Sequence, residues 1–109
     1  MELSKKDKKR VREIIETGIQ KEFANGLFKA DNILAGWKNR LKNNHDTYHL
    51  LYNHIIGFNK HIAGRYDNIT GSKYLFIIAA QLSDGVISEN DLRDLSDEVQ
   101  QAIKLIADI

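Results

Sequence analysis

The chain has 109 residues, of which 42% are hydrophobic and 28% charged, and it contains neither cysteine nor proline. This length and composition are typical of one globular domain with its own core, so we expect a single helical domain over residues 1–109. The absence of cysteine excludes disulfides, cysteine-ligated zinc and thiolate catalysis. The N-terminus has no apolar segment of the signal-peptide type, and the longest apolar run, Tyr74 to Ala80, is too short to span a bilayer. We therefore expect a cytoplasmic protein without a membrane partner.

Charge is distributed unevenly along the chain. Residues 1–65 carry 13 Lys and Arg against 7 Asp and Glu, whereas residues 80–109 carry 2 against 7. We predict that the basic first helix and the acidic C-terminal third meet, within one chain or between two chains. The basic residues at the start are also the candidate binding surface for an anionic partner such as nucleic acid, with a solvated helix start as the alternative. They are Lys5, Lys6, Lys8, Lys9, Arg10 and Arg12.

The first forty residues show two helical patterns in nearly the same phase. Ser4 is suited to cap a helix over 5–24, whose apolar residues recur every three or four positions. Asn25-Gly26 is a plausible stop, and a second pattern then predicts a helix over 28–43. Because the phase hardly changes at the glycine, one long bent helix is the alternative.

The rest of the chain also predicts helices. A third helix runs from Asn44, as its cap, to about Tyr66, and a turn follows over 67–72. The segment 74–82 is apolar nearly all round, which predicts a buried central helix with Phe76 and Ile77 in the core. Ser88 and Ser96 then cap a short helix and a last helix. The predicted fold is all-α, a bundle of five or six helices.

All four histidines lie on the third predicted helix. A helical wheel puts His45 and His49 beside the apolar stripe, which includes Tyr48, while His54 and His61 face away from it. Only His45 and His49, one turn apart, could bind the same metal ion. His45-Asp-Thr-Tyr-His49 resembles the HExxH signature of zinc proteases, but the Asp is shorter than the expected Glu and no third ligand motif follows. We predict no shared metal centre and no cofactor.

A second pattern overlaps the first at the start of this helix. Arg40 and His45 are separated by four residues, and this spacing in a small all-α domain resembles the motif of HEPN-type ribonucleases. The resemblance implies an RNA-acting domain in which Arg40 stabilises charge on a phosphate while His45 moves a proton. The family places a small polar residue after the arginine, where this chain has Leu41.

The sequence contains no complete catalytic constellation. We therefore expect a small non-enzymatic interaction module that binds itself, as a homo-oligomer, or another protein. An RNA-acting domain with Arg40 and His45, or nucleic-acid binding through the basic N-terminal helix, are the alternatives.

Overall fold

The computed structural model of the protein describes residues 2–108, and within them it is all-helical, without strands. This confirms the predicted all-α class. The helix count of five or six is wrong, because the described chain has four α-helices and two short 3-10 helices. The α-helices are α1 (Lys5–Lys38), α2 (Asn44–Tyr66), α3 (Tyr74–Ser83) and α4 (Asp97–Ala107), and the 3-10 helices are Gly71–Lys73 and Glu89–Leu92.

Helix α1 replaces the two helices predicted over 5–24 and 28–43. The predicted start is confirmed, since the Asp7 backbone nitrogen donates to the Ser4 hydroxyl at 3.0 Å. Gly26 does not end the helix, because a glycine inside a helix costs only about 1 kcal/mol. It lies where the Phe58 ring approaches the backbone, and a Cβ there would be 2.8 Å from Phe58 Cζ. The helix ends at Lys38, short of residue 43, and Arg40 takes a left-handed φ of 61°.

The chain forms two compact units. The first comprises the chain up to Lys21 together with the chain from Asn68 onward, and it contains nearly all of the buried apolar side chains. Phe76 is 62% exposed, so its predicted burial is wrong, whereas Ile77 is buried as predicted. The α3 helix therefore has one face in the core and one in solvent. The buried apolar residues of this unit are Val11, Ile14, Ile15, Ile77, Ile78, Ala79, Ile87, Leu92, Leu95, Val99 and Ile103.

Hydrogen bonds and an ion pair hold the C-terminal part of the first unit in place. Ser88 precedes the second 3-10 helix as predicted, and it forms a capping box with Asp91 in which the Ser88 backbone nitrogen donates to Asp91 Oδ2 at 2.8 Å. Ser96 precedes α4 as predicted, but its hydroxyl donates to Asp7 Oδ2 of α1 instead of capping its own helix. The Arg10 guanidinium lies 3.6 Å from Asp94, so the basic and acidic blocks do meet within one chain at this pair.

The second unit, Glu22–Asp67, is a helical hairpin built from the rest of α1 and all of α2. The pairing is antiparallel, since Trp37 contacts Asn44 near the tip while Glu22 contacts His61 towards the other end. The side chain of Asn43, rather than of Asn44, caps α2 by accepting from the Asp46 backbone nitrogen at 2.8 Å. Within residues 2–108, no helix combines the length and the hydropathy of a membrane span.

Candidate functional site

The rotation of α2 in the hairpin differs from the rotation predicted by the helical wheel. His54 and His61, predicted to face away from the buried side, point towards α1. His54 Nε2 lies 2.9 Å from the Gly26 carbonyl oxygen, and His61 Nε2 lies 2.7 Å from a carboxylate oxygen of Glu22. The hairpin therefore packs through a face that carries polar residues as well as Phe58, and part of the apolar stripe of α2 is left outside.

Part of the predicted buried stripe of α2 is consequently exposed, although its member Tyr66 is buried. Tyr48 is 68% exposed and Tyr52 is 52% exposed, and Ile55 is also exposed. Spacings of four and seven residues place the three side chains on one side of the helix. No charged residue of α2 shares this stripe, so its surface is apolar apart from the two phenol hydroxyls.

Helix α1 continues this surface on the same side of the hairpin. Leu34 and Trp37 line one groove with Tyr48 and Leu51, which places these residues of the two helices side by side. Leu27 lies two turns before Leu34 and is 71% exposed. We refer to the whole surface as the hairpin face, and its exposed members are Phe23, Leu27, Trp37, Tyr48, Tyr52 and Ile55.

The two units differ sharply in how much apolar surface they leave in solvent. In the first unit, the large apolar side chains exposed among the described residues are Phe76 and Leu105. All the others belong to the hairpin, where Tyr66 is the one large apolar side chain that is buried. Six of these exposed residues lie on the hairpin face, and such a concentration of apolar surface is typical of an interaction site.

A buried polar cluster fixes the hairpin at the end opposite its tip. Glu22 of α1 is buried, and its Oε1 accepts from Arg65 at 2.8 Å as well as from His61. The Tyr66 hydroxyl donates to Glu22 Oε2. Three donors from α2 thus converge on one carboxylate, which satisfies a charge that would be costly to bury alone. This cluster sets how α2 is rotated against α1.

The role implied for Arg40 and His45 by the ribonuclease resemblance stays a prediction. Arg40 lies in the exposed loop after α1, and His45 is exposed in the first turn of α2. Within residues 2–108, no hydrogen bond or ring contact joins the two, and the partner of His45 Nδ1 is Asp46 at 3.1 Å. The His45 hydrogen bond, with help from Asn43, lowers the pKa of the Asp46 carboxyl.

His45 and His49 are the nearest approach to a metal site. Their ring centroids are 4.4 Å apart on the exposed side of α2. In the described part of the chain, no group of three or more His, Asp or Glu residues comes close enough to hold an ion. Metal binding by His45 and His49 would therefore use two protein ligands, and the absence of a metal centre remains a prediction.

The basic residues at the start of α1 divide into two sets. Arg10 is held by Glu13 and Asp94, and Arg12 Nε donates to the Tyr74 hydroxyl at 3.2 Å. The other four, Lys5, Lys6, Lys8 and Lys9, are exposed. Two of the six candidate residues for an anionic partner are thus occupied by contacts within their own unit.

Sequence reasoning missed the hairpin face and the Glu22 cluster for the same reason. The wheel assumed that the apolar stripe of α2 is the buried one, whereas the contact with α1 uses Phe58 of that stripe together with His54 and Arg65 from outside it. One signal was available, because an interior stripe rarely carries two tyrosines whose hydroxyls lack an obvious partner.

Comparisons with known proteins bear on the fold. No family model and no curated protein matches the chain. Among solved structures, Fluorescence Recovery Protein from Synechocystis sp PCC 6803 is similar, with 19% identity and a TM-score of 0.83 over 99% of this chain and 100% of that chain. The Fremyella diplosiphon Fluorescence Recovery Protein matches with the same TM-score and coverage at 14% identity. At these identities, the likeness shows a shared helical fold.

Proposed function

We propose that this protein is a non-enzymatic protein-interaction module that associates with a second copy of itself through the hairpin face. The observation that carries the proposal is the exposure of the α2 stripe, led by Tyr48 and Tyr52, on the outside of the hairpin. Aromatic residues are enriched in protein interfaces, and contiguous apolar patches mark them.

The chemistry of the face favours a second copy over a partner of opposite charge. The exposed stripe of α2 carries no Lys, Arg, Asp or Glu, so it offers nothing that would select a charged surface. A neutral apolar stripe is complementary to another stripe like itself, and the commonest homo-oligomer is a two-fold dimer that buries the same patch on both subunits. Two hairpins packed face to face in this way would form a four-helix bundle with the tyrosines inside.

The proposal is tested by placing a charge on the face. Ile55→Glu should convert the protein to a monomer in sedimentation equilibrium, because a carboxylate in an apolar interface loses its hydration without gaining a partner. Ile55 is exposed, so the monomer itself should keep its helical circular dichroism.

The matched control lies on α1. Phe28 is 67% exposed, but it follows Leu27 directly and therefore points about 100° away from the hairpin face. Phe28→Glu should leave the association unchanged. A wild-type protein that sediments as a monomer, or an Ile55→Glu variant that associates as the wild type does, would contradict the proposal.

A role in fluorescence recovery is a second candidate, and it is based on the fold likeness over the whole chain. It predicts that the gene for this chain restores fluorescence recovery to Synechocystis cells that lack their own Fluorescence Recovery Protein. Cells carrying the Ile55→Glu variant would show whether any such activity also needs the hairpin face. Failure of the wild-type gene to restore recovery would remove this candidate and leave the interaction module.

A further inference from the structure

The tip of the helical hairpin carries a cluster of positive charge. Lys38, Arg40 and Lys42 alternate along the end of α1 and the loop that follows it, and all three are exposed. In the described part of the chain, none of these side chains forms a hydrogen bond or a salt bridge. The carboxylate of this region, Asp46, is hydrogen-bonded to Asn43, and Lys42 acts on it only as a charge at a distance. The positive charge of the tip is therefore available to an anionic partner.

The same loop exposes an apolar side chain that has no packing role in the hairpin. The Leu41 backbone nitrogen donates to the Gly36 carbonyl oxygen at 2.9 Å, as in the common helix ending that has a left-handed residue before the apolar one. An apolar residue at the position of Leu41 usually packs against the side chain at the position of Gly36. Glycine has no side chain, and Leu41 is 78% exposed, more than any other large apolar residue of the described chain. Leu41 is thus open to contact with a partner.

Arg40 occupies the position of this helix ending that most often belongs to glycine. Its φ is 61°, in the left-handed region that a Cβ atom disfavours. Its backbone nitrogen donates to the Trp37 carbonyl oxygen at 3.0 Å, which completes the ending. Because glycine would form the same turn with less strain, local folding does not account for an arginine here. A need for positive charge at the tip accounts for it.

The three cations and Leu41 surround one cavity. It has a volume of about 590 Å³, it is lined by residues of the segment 37–44, and no carboxylate is among them. The Trp37 indole forms an apolar wall, and its Nε1 donates to Asn44 Oδ1 at 2.7 Å, which holds the ring in place. A ligand that matches this cavity combines an apolar group with negative charges around it.

We infer that the hairpin tip binds an acidic protein segment in which carboxylates flank an apolar side chain. The apolar side chain contacts Leu41 and Trp37, and the carboxylates pair with the three cations around them. This surface shares Trp37 with the hairpin face, but the inference does not depend on self-association, because the charge and the exposure of the tip are properties of a single chain.

Nucleic acid matches the tip less well than an acidic protein segment does. Proteins that bind nucleic acid neutralise many phosphates and are strongly basic, whereas this chain has a net charge of +1. A phosphate backbone also brings no apolar group to cover Leu41, which is the most exposed large apolar residue of the described chain. The apolar centre of the tip therefore favours a protein segment.

The experiment measures binding of a labelled acidic peptide, Glu-Glu-Leu-Glu-Glu, to the full chain by fluorescence anisotropy in about 0.1 M salt. Lys38→Glu combined with Lys42→Glu should weaken binding at least about tenfold, because attraction becomes repulsion. The matched control is Lys29→Glu combined with Lys60→Glu, at exposed positions of α1 and α2 away from the tip. The control makes the same change in net charge, and it should bind within about twofold of the wild type because salt screens distant charges.

Two single variants separate binding from folding. Arg40→Gly should weaken binding of the acidic peptide about threefold or more, without lowering the thermal stability, because glycine suits the left-handed φ. Leu41→Ser should also weaken it several-fold. The same variant should have little effect on a serine peptide, Glu-Glu-Ser-Glu-Glu, because that peptide lacks the apolar group that Leu41 contacts.

Several results would overturn the inference. One is a wild-type protein that does not bind the acidic peptide, and another is equal binding of the acidic peptide and the serine peptide. A loss of binding in the control variant as large as that in the tip variant would show that net charge alone attracts the peptide. Single-stranded RNA or vesicles containing phosphatidylserine serve as competing anions. If either binds the wild type more tightly than the peptide does, and loses affinity in the tip variant, the tip recognises that anion instead of a protein segment.

Discussion

Ser96 donates two hydrogen bonds to the Asp7 carboxylate, one from its backbone nitrogen at 3.1 Å and one from its hydroxyl at 2.8 Å. The Asp7 side chain of α1 thereby accepts from the backbone N–H of the residue that precedes α4, as the acidic side chain of a capping box does. The Ser96 side chain is the main cause of the lowered pKa of Asp7, and it outweighs the opposing effect of burial.

These hydrogen bonds predict that ionisation of Asp7 makes the stability of the protein depend on pH. Because the pKa of Asp7 is lower in the folded protein, its contribution is present above the ordinary carboxyl pKa and is lost as the pH falls through the lower, folded value. Asp7→Asn should reduce the free energy of unfolding by about 1–2 kcal/mol at neutral pH, since a charge-assisted bond becomes a neutral one. The difference from the wild type should shrink in acid, as measured by urea unfolding from pH 7 down to pH 2.

The control for Asp7 is on the same helix. Asp31 is exposed, and the described residues give it no hydrogen bond or ion pair, so Asp31→Asn should follow the wild-type curve. A constant difference between Asp7→Asn and the wild type at every pH would mean that the carboxylate charge is not the source of the effect.

Glu22 should be the least replaceable polar residue of the hairpin. Removing one partner of a buried charge pair leaves the other uncompensated, which costs about 3–5 kcal/mol. Glu22→Ala would leave Arg65, whose side chain is 13% exposed, without this carboxylate. We expect a loss of that size in the unfolding free energy, against a negligible one for Glu16→Ala at an exposed position of the same helix. Equal losses for the two variants would show that the cluster contributes no specific stability.

These two carboxylates illustrate what the sequence could and could not predict. The Ser4, Ser88 and Ser96 signals predicted the starts of their elements because a cap depends on residues three positions away. The bond from Ser96 to Asp7 spans 89 positions, and nothing local indicates it. The rotation of α2 is likewise set by its partner helix, so a wheel that ranks residues by hydropathy placed the hairpin face in the core.

Gly26 also shows that a residue with a clear local signal can have its role set by a residue distant in sequence. Gly26 resembled a helix stop, but it provides room for Phe58, whose ring is also packed edge-on against Phe23 with centroids 5.6 Å apart. Gly26→Ala should therefore destabilise the protein by about 1–3 kcal/mol through overpacking. Gly57 of α2 has open space at its Cβ position, and Gly57→Ala should stabilise by about 0.5–1 kcal/mol. Thermal unfolding of the two variants checks the opposite signs, and a gain in stability for Gly26→Ala would exclude the proposed close contact.

The α3 helix allows a direct test of which of its faces is in the core. The sequence predicted that Phe76 is buried, which would make Phe76→Ala cost about 3–5 kcal/mol. The structure places its side chain 62% in solvent, so the expected cost falls below about 1 kcal/mol. Ile78, two residues further along the same helix, is fully buried, and Ile78→Ala should cost about 2–5 kcal/mol. Chemical unfolding of the two variants under the same conditions decides between the two orientations of α3. A larger loss for Phe76→Ala than for Ile78→Ala would mean that the helix packs through the opposite face.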